Sequence, residues 1–281
     1  MTRAALILAG GAGTRLRPLS SDENPKQFLR IFDGVSLLEK TAARVAPLVP
    51  AASVFISTNE QYAAKCAAVL PELPKVNILT EPARRNTGPA IALCCFAIEA
   101  IMGGDPVIAV LASDHYIADE GEFVRVLDRA YEFAANHDYL VTIGIEPAEA
   151  NTGYGYLQLG AEIAPGITAV ARFTEKPSRE RAEEFLAAGN YAWNASMFVW
   201  RASVFRHALE ASAPELARVT RETYEAMPSI SIDYALMEKA PRVAAIRGDF
   251  GWSDVGSFES LERAGVPVKE LLEKARAEGR S

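Results

Sequence analysis

The sequence predicts an α/β fold in which helices wind over both faces of a central sheet. Three observations carry this expectation. Short apolar runs alternate with helical patterns through the first half of the chain. The runs are continuously apolar, as expected of strands covered on both faces rather than one. A glycine-rich turn directly follows the first run. In order, strands are expected at 4–9, 54–57, 76–79, 107–112 and 140–145. Helices are expected between them, at 37–46, 61–70, 89–102 and 122–135. The second half is less regular. There 156–159, 169–174 and 197–200 read as strands, and 179–188 and 203–211 as helices. Residues 231–239 (SIDYALMEK) read as a helix with Ser231 at its N-cap, and 268–278 as a charged terminal helix. In doubly wound sheets ligands bind beyond the carboxyl ends of the strands, so the informative residues should follow each strand.

The 281 residues suit one large domain or two modest ones. No repeat, low-complexity tract or Pro/Gly-rich linker marks a boundary. Apolar residues make up 49% and charged residues 23%, which excludes a disordered or fibrous chain. The net charge is -7 and the isoelectric point about 5.2. Nucleic-acid binding rests on Lys and Arg neutralising phosphates, so no nucleic-acid partner is expected. Cys66, Cys94 and Cys95 are odd in number and form no CxxC, which points to buried thiols in a reducing compartment. His115, His137 and His207 have no zinc-ligand spacing. The first residues are too short an apolar run for a signal peptide. The most apolar stretch, 89–112, is broken by Glu99, Gly103, Gly104, Asp105 and Pro106. No membrane association is expected, and the cytoplasm is the expected location.

The strongest local signal is LAGGAGTRLRPLS (8–20). Gly10, Gly11 and Gly13 let the backbone approach a ligand, and successive N–H groups of such a loop form a concavity for anions. A tight strand-to-helix turn accounts for the glycines alone. Two known phosphate loops do not fit: Gly-Thr-Arg stands where a P-loop needs Gly-Lys-Ser/Thr, and Leu16 stands where a dinucleotide fingerprint needs its third glycine. Arg3, Arg15, Arg17, Lys26 and Arg30 face only Asp22 and Glu23 in the first 30 residues of an acidic chain. A cationic glycine loop in that setting points to a polyphosphate ligand. Arg3 and Arg30 read equally well as a solvated face.

Eight ordered motifs then carry a resemblance. GGAGTRLRPLS with NPKQFL (24–29) is followed by EPARRNTGPAIA (81–92), ASDH (112–115), NTGYGYL (151–157), FTEKP (173–177), WNASMFVW (193–200), SIDYALMEK and GWSDVGSF (251–258). Over about residues 4–260 the chain resembles the sugar-nucleotide pyrophosphorylases, in particular the mannose-1-phosphate guanylyltransferases. Where that family usually has Trp, this chain has Arg17. The resemblance implies a Rossmann-like doubly wound mixed sheet of the nucleotide-diphospho-sugar transferase type. It implies one domain over 1–262, with a nucleotide half (about 1–145) and a sugar-phosphate half (about 146–262), and a short helical tail, 263–281. Only about 20 residues follow GWSDVGSF, too few for the further C-terminal domains that some members carry.

The implied reaction joins GTP and mannose 1-phosphate to give GDP-mannose and pyrophosphate. The attacking phosphate is already ionised at neutral pH, so no general base is needed. Catalysis reduces to positioning and charge stabilisation. The resemblance assigns Arg15 and Lys26 as catalytic cations on the triphosphate side. It assigns Asp114 and Asp254 as ligands of Mg2+, a hard cation suited to carboxylates. Either aspartate reads otherwise as an N-cap. The nucleotide residues it implies are Leu8, Ala9, Gly10, Gly11, Gly13, Thr14, Glu81, Pro82, Asn86, Thr87, Ala90 and Ser113. Asn86 or Thr87 also reads as the cap of the following helix. The sugar-phosphate residues it implies are Gly155, Glu175, Lys176 and Asn194, with Lys176 on the phosphate. Arg84 and Arg85 receive no role. Tyr154, Tyr156, Trp193, Trp200 and Trp252 read as wall or core. The expected partners are the two small substrates, and the oligomeric state is left open, a homodimer included.

Overall fold

The computed structural model describes residues 1–11 and 13–277. In chain order its elements are β1 (Arg3–Leu8), α1 (Leu37–Val45), β2 (Val54–Asn59), α2 (Glu60–Val69), β3 (Ile78–Glu81), α3 (Thr87–Met102), β4 (Val107–Ala112), β5 (Tyr116–Ile117) and α4 (Glu120–Asn136). There follow β6 (Leu140–Ile145), β7 (Tyr156–Ala164), β8 (Ile167–Thr174), α5 (Arg179–Ala188), β9 (Tyr191–Arg201), α6 (Ala202–Ser212), β10 (Val243–Gly248), β11 (Trp252–Ser253), α7 (Phe258–Arg263) and α8 (Val268–Ala277). Residue 278, the expected end of the last helix, lies outside the described residues.

Nine strands form one sheet in the order β3-β2-β1-β4-β9-β6-β10-β8-β7, with β7 also pairing with β9. The first four are parallel. β9 then enters antiparallel between β4 and β6. The sheet is therefore mixed, as the resemblance implies. Alternate residues of β1 enter opposite cores, because successive strand side chains point to opposite faces. Ala5 and Ile7 join α1, α2 and α4 residues such as Leu38, Cys66 and Leu127. Ala4 and Leu6 join α3 and α6 residues such as Ile91 and Leu209. Helix starts follow local chemistry: Ser36 and Glu39 form a capping box on α1, and Asp119 and Ser178 cap α4 and α5.

Three differences from the sequence expectations have clear causes. β3 begins at Ile78 rather than residue 76 because Lys75–Asn77 closes a 3-10 turn. Asn77 Nδ2 ties that turn to the carbonyls of Ala52 and Val54 at 3.0 and 2.9 Å, leaving Val76 62% exposed. β10 has no counterpart among the expected strands; its six residues, VAAIRG, are short and small, and their pairing with β6 and β8 is wholly non-local. Residues 231–239 are not an α-helix. Their hydrogen bonds run as a π-helix over Asp233–Met237. The tail packs by Val268 and Ala275 against Leu16, Leu19 and Leu29, just beyond the glycine loop. Among the described residues no helix is long and apolar enough to cross a membrane. Cys66, Cys94 and Cys95 are buried free thiols.

Candidate functional site

β1 is followed in space by β2 on one side and by β4 on the other, so the connections leave it in opposite directions. Such a switch point opens a crevice at the carboxyl ends of the strands. A cavity of about 430 Å³ lies there. Leu8, Gly10, Gly11 and Gly13 line it from the loop after β1, and Ser113 and Asp114 from the end of β4. Glu81, Asn86, Thr87 and Ala90 line it from the end of β3 and the start of α3. Ten of the expected residues thus face one space. Ala9 and Thr14 do not line it: Ala9 is buried, its carbonyl accepting from Gln27 Nε2 (2.8 Å) and Thr58 Oγ1 (3.0 Å), and Thr14 is exposed at the start of a 3-10 turn. Pro82 is likewise absent from the lining.

The loop conformation is set by contact. Gly13 has φ 61°, and a Cβ there would stand 2.6 Å from Lys26 Cβ, so only glycine lets Lys26 fold under the loop. Lys26 is 5% exposed. Its Nζ sits 2.9 Å from Asp114 Oδ2 and donates to the Asp254 carbonyl at 2.5 Å. One buried ammonium therefore joins the end of β4 to the turn after β11. Burial, the largest influence, raises the Asp114 carboxyl, but Lys26, His115 and Arg15 together outweigh it and hold the group below its ordinary value. Burial holds the neighbouring His115 down to about 4. It is a neutral acceptor for Trp252 Nε1 at 3.1 Å.

A second cavity, of about 780 Å³, begins at Asp254 and Arg15. Tyr154, Trp193 and Trp252 form its aromatic wall, with ring centroids 5.0 and 5.1 Å apart. The Tyr154 hydroxyl donates to Asp254 Oδ1 at 2.9 Å, and Gly256 N donates to the same oxygen at 3.3 Å. Lys26, which lines neither cavity, thus links Asp114 of the first to the backbone of Asp254 of the second. Trp200 and Tyr156 are core residues instead. Arg17 is exposed and paired with Asp22.

The expected sugar-side residues are packed together. Asn194 N donates to the Gly155 carbonyl at 2.8 Å, and a Cβ on Gly155 would stand 2.5 Å from Glu175 Oε2. Glu175 is buried and paired with Lys176, whose side chain is 56% exposed. None of these four lines either cavity. The groups that face the first cavity beside them are Ser196 and Asp233, which are absent from the residues expected from sequence. Asp233 lies within the SIDYALMEK motif, but in the sequence it has the look of an ordinary first-turn helical acid. Gln27, Asn59 and Arg84 also line this cavity. Gln27 lies within NPKQFL; Asn59 carries no sequence signal.

Asp233 is buried, and burial, then Glu175, pushes its carboxyl up to about 6; Lys176 and the Asn194 amide oppose this. The folded chain therefore keeps a proton that the unfolded chain loses near its ordinary value of 3.8. Its contribution lowers stability as pH rises from about 4 to about 6 and is constant above. Asp233→Asn removes that limb. The variant's melting temperature relative to wild type should be higher at pH 7.5 than at pH 4.5, as read by thermal melts at both values. An equal difference at both excludes the assignment.

Fold and crevice together define an α/β domain with cations and carboxylates gathered at its strand ends. The chain belongs to the nucleotidyl transferase family, which matches it over residues 4–270. It is 41% identical over 281 residues to the mannose-1-phosphate guanylyltransferase RfbM of Salmonella typhimurium, an alignment covering 93% of this chain. It is 42% identical over 277 residues to the xanthan biosynthesis protein XanB of Xanthomonas campestris pv. campestris strain B100, covering 91% of this chain. The chain spans 58% of the length of each of these relatives. A crystal structure of a mannose-1-phosphate geranyltransferase from Thermus thermophilus is similar with a TM-score of 0.85 and 35% identity, covering 94% of this chain and 79% of that one. The sheet seen here is thus that of a nucleotidyl transferase.

Proposed function

We propose that this domain joins GTP and mannose 1-phosphate to give GDP-mannose and pyrophosphate. The observation that carries it is the buried Lys26 ammonium that bridges Asp114 on one cavity and the Asp254 carbonyl on the other. The similarity to RfbM supports the choice of substrates. Guanine presents donors at N1 and N2, and the Glu81 carboxylate in the first cavity is an acceptor. Asn86, its side chain capping α3 at Thr87 N (2.8 Å), shapes the adjoining loop. The glycine loop N–H groups take the phosphates.

A sugar-phosphate oxygen attacks the α-phosphorus in line. The new O–P bond forms as the bond to the β-phosphate oxygen breaks, and pyrophosphate leaves with that electron pair. No proton moves, so no side chain need serve as base. Lys26 and Arg15 neutralise charge growing on the transferring group and on pyrophosphate. Lys176, half-exposed and paired with Glu175, takes the phosphate of the incoming sugar. Asp114 and Asp254, each lining one of two cavities and linked through Lys26, supply carboxylates of the kind Mg2+ combines with substrate phosphates. Among the described residues no three His, Cys, Asp or Glu side chains cluster as a protein-only metal cage would require. Asp114 and Asp254 would hold the ion, which would supply Lewis-acid charge to the phosphates. These substrates and the buried thiols fit a reducing, cytoplasmic setting, with residues to about 145 serving the nucleotide and those to about 262 the sugar phosphate.

The test is pyrophosphate release over a matrix of nucleoside triphosphates and sugar 1-phosphates with MgCl2. GTP with mannose 1-phosphate should give the highest kcat/KM. Equal or faster turnover with UTP or dTTP rejects the base assignment. A preference for glucose 1-phosphate rejects the sugar.

A further inference from the structure

The geometry points to Asp233, rather than Asn194, as the group that reads a sugar hydroxyl, with Asn194 as the strut that holds it; this rests on the guanylyltransferase reading above. Asn194 is fully engaged within the protein. Its Oδ1 accepts from Ser196 N at 3.1 Å and from Thr142 Oγ1 at 2.9 Å. A backbone N–H can only donate, so this contact identifies the amide oxygen without ambiguity. Nδ2 donates to Asp233 Oδ1 at 3.0 Å and reaches Ser196 Oγ at 3.5 Å. A carboxamide offers two donors and two acceptor positions, and all four are occupied. Nothing on Asn194 is left for a ligand.

Asp233 is the reverse case. It is 8% exposed and lines the first cavity with Ser196. Among the described residues Asn194 is the one side chain that donates to it. A carboxylate has about four acceptor positions, so most of its capacity faces the cavity. Its acceptor positions turned to the cavity are open to the donor of a hydroxyl-bearing ligand.

The surroundings fix where this acceptor stands. Ser196 has φ 53°, a left-handed conformation for a non-glycine residue, within a register shift of β9 against β6. Such irregularities re-aim side chains near sites. Ile232 N donates to Thr87 Oγ1 at 3.0 Å, and Gly88 N to the Ile230 carbonyl at 2.9 Å. The segment carrying Asp233 is therefore stitched to the start of α3, where the base loop lies. Distance from base to sugar is set by these bonds. The π-turn that begins at Asp233 is a form often found at functional positions.

The experiment measures kcat/KM at pH 8 and saturating GTP for mannose 1-phosphate and its 2-, 3-, 4- and 6-deoxy analogues. Wild type and Asp233→Asn are compared, with Asp233→Ser as a second variant should the first not fold. A site built to bind a hydroxyl rejects the analogue lacking it strongly. Wild type should discriminate against at least one deoxy analogue by on the order of 10²-fold. In Asp233→Asn that same penalty should collapse to under about threefold, with the KM for GTP changed by less than about threefold. A purely structural role would depress all five sugars alike and keep the penalty; that result overturns the inference. Failure of the substrate reading is seen separately, as a wild type that prefers another sugar 1-phosphate. The deoxy series of that preferred sugar then decides the role of Asp233 by the same comparison.

Discussion

Asp114→Asn should lower kcat by on the order of 10³-fold or more while leaving the fold intact. The substitution changes little volume and removes one charge. That charge lies 2.9 Å from the Lys26 ammonium. Without it Lys26 keeps the Asp254 carbonyl as a partner but loses its counter-charge. Removing one member of a buried pair strands the other. Asp114 is itself half-buried, so the melting temperature should fall modestly rather than collapse. The amide is also a poor ligand for a hard cation, so raising MgCl2 should not restore the rate. Steady-state kinetics across a MgCl2 series, with a thermal melt as control, checks this. Turnover within about threefold of wild type would show that the charge is not needed.

Arg15→Ala should lower kcat by on the order of 10²-fold, as loss of one pre-organised charge-stabilising donor does. The KM for mannose 1-phosphate should change little. Arg15 is exposed at the mouth of the second cavity, beside Asp254 and Gly256. Its removal should not cost stability. An interaction made only in the transition state appears in kcat, whereas one present throughout appears in KM. Arg15→Lys separates charge from shape, because lysine lacks the planar fork that bridges two oxygens. Full recovery by lysine would mean that a point charge suffices. A raised KM with unchanged kcat would place Arg15 in ground-state binding instead.

Much of the first half is legible in the sequence because its signals are local. Apolar runs of strand length and helices with Ser36, Asn86 and Asp119 at their starts need no distant partner to be recognised. The glycine loop is legible for the same reason: φ 61° at Gly13 and the crowding against Lys26 leave few other residues. The chain order of the motifs also carries the family. The second half is harder, since its elements depend on what they meet. β10 forms because β6 and β8 frame it. Residues 231–239 have a helical pattern, and nothing local distinguishes a π-turn from an α-turn. Thr87 and Asn194, far apart in sequence, hold that segment in its final shape.

What the sequence determined by itself was the α/β class, the glycine loop and the types of residue gathered around it. Each follows from chemistry within a dozen residues: apolar continuity, capping, and the backbone freedom of glycine. Tertiary structure alone decided which side chains are free to act. On paper Asn194 carries the sugar-side assignment, and Asp233 is an ordinary first-turn acid. Folding fills every hydrogen-bonding position of the first with Thr142, Ser196 and Asp233, and leaves the second facing a cavity. Lys26 likewise reads as one cation among several, until burial between Asp114 and Asp254 makes it the link between two cavities. A residue type tells what bonds a side chain can make; only packing in three dimensions determines which of those bonds are already made.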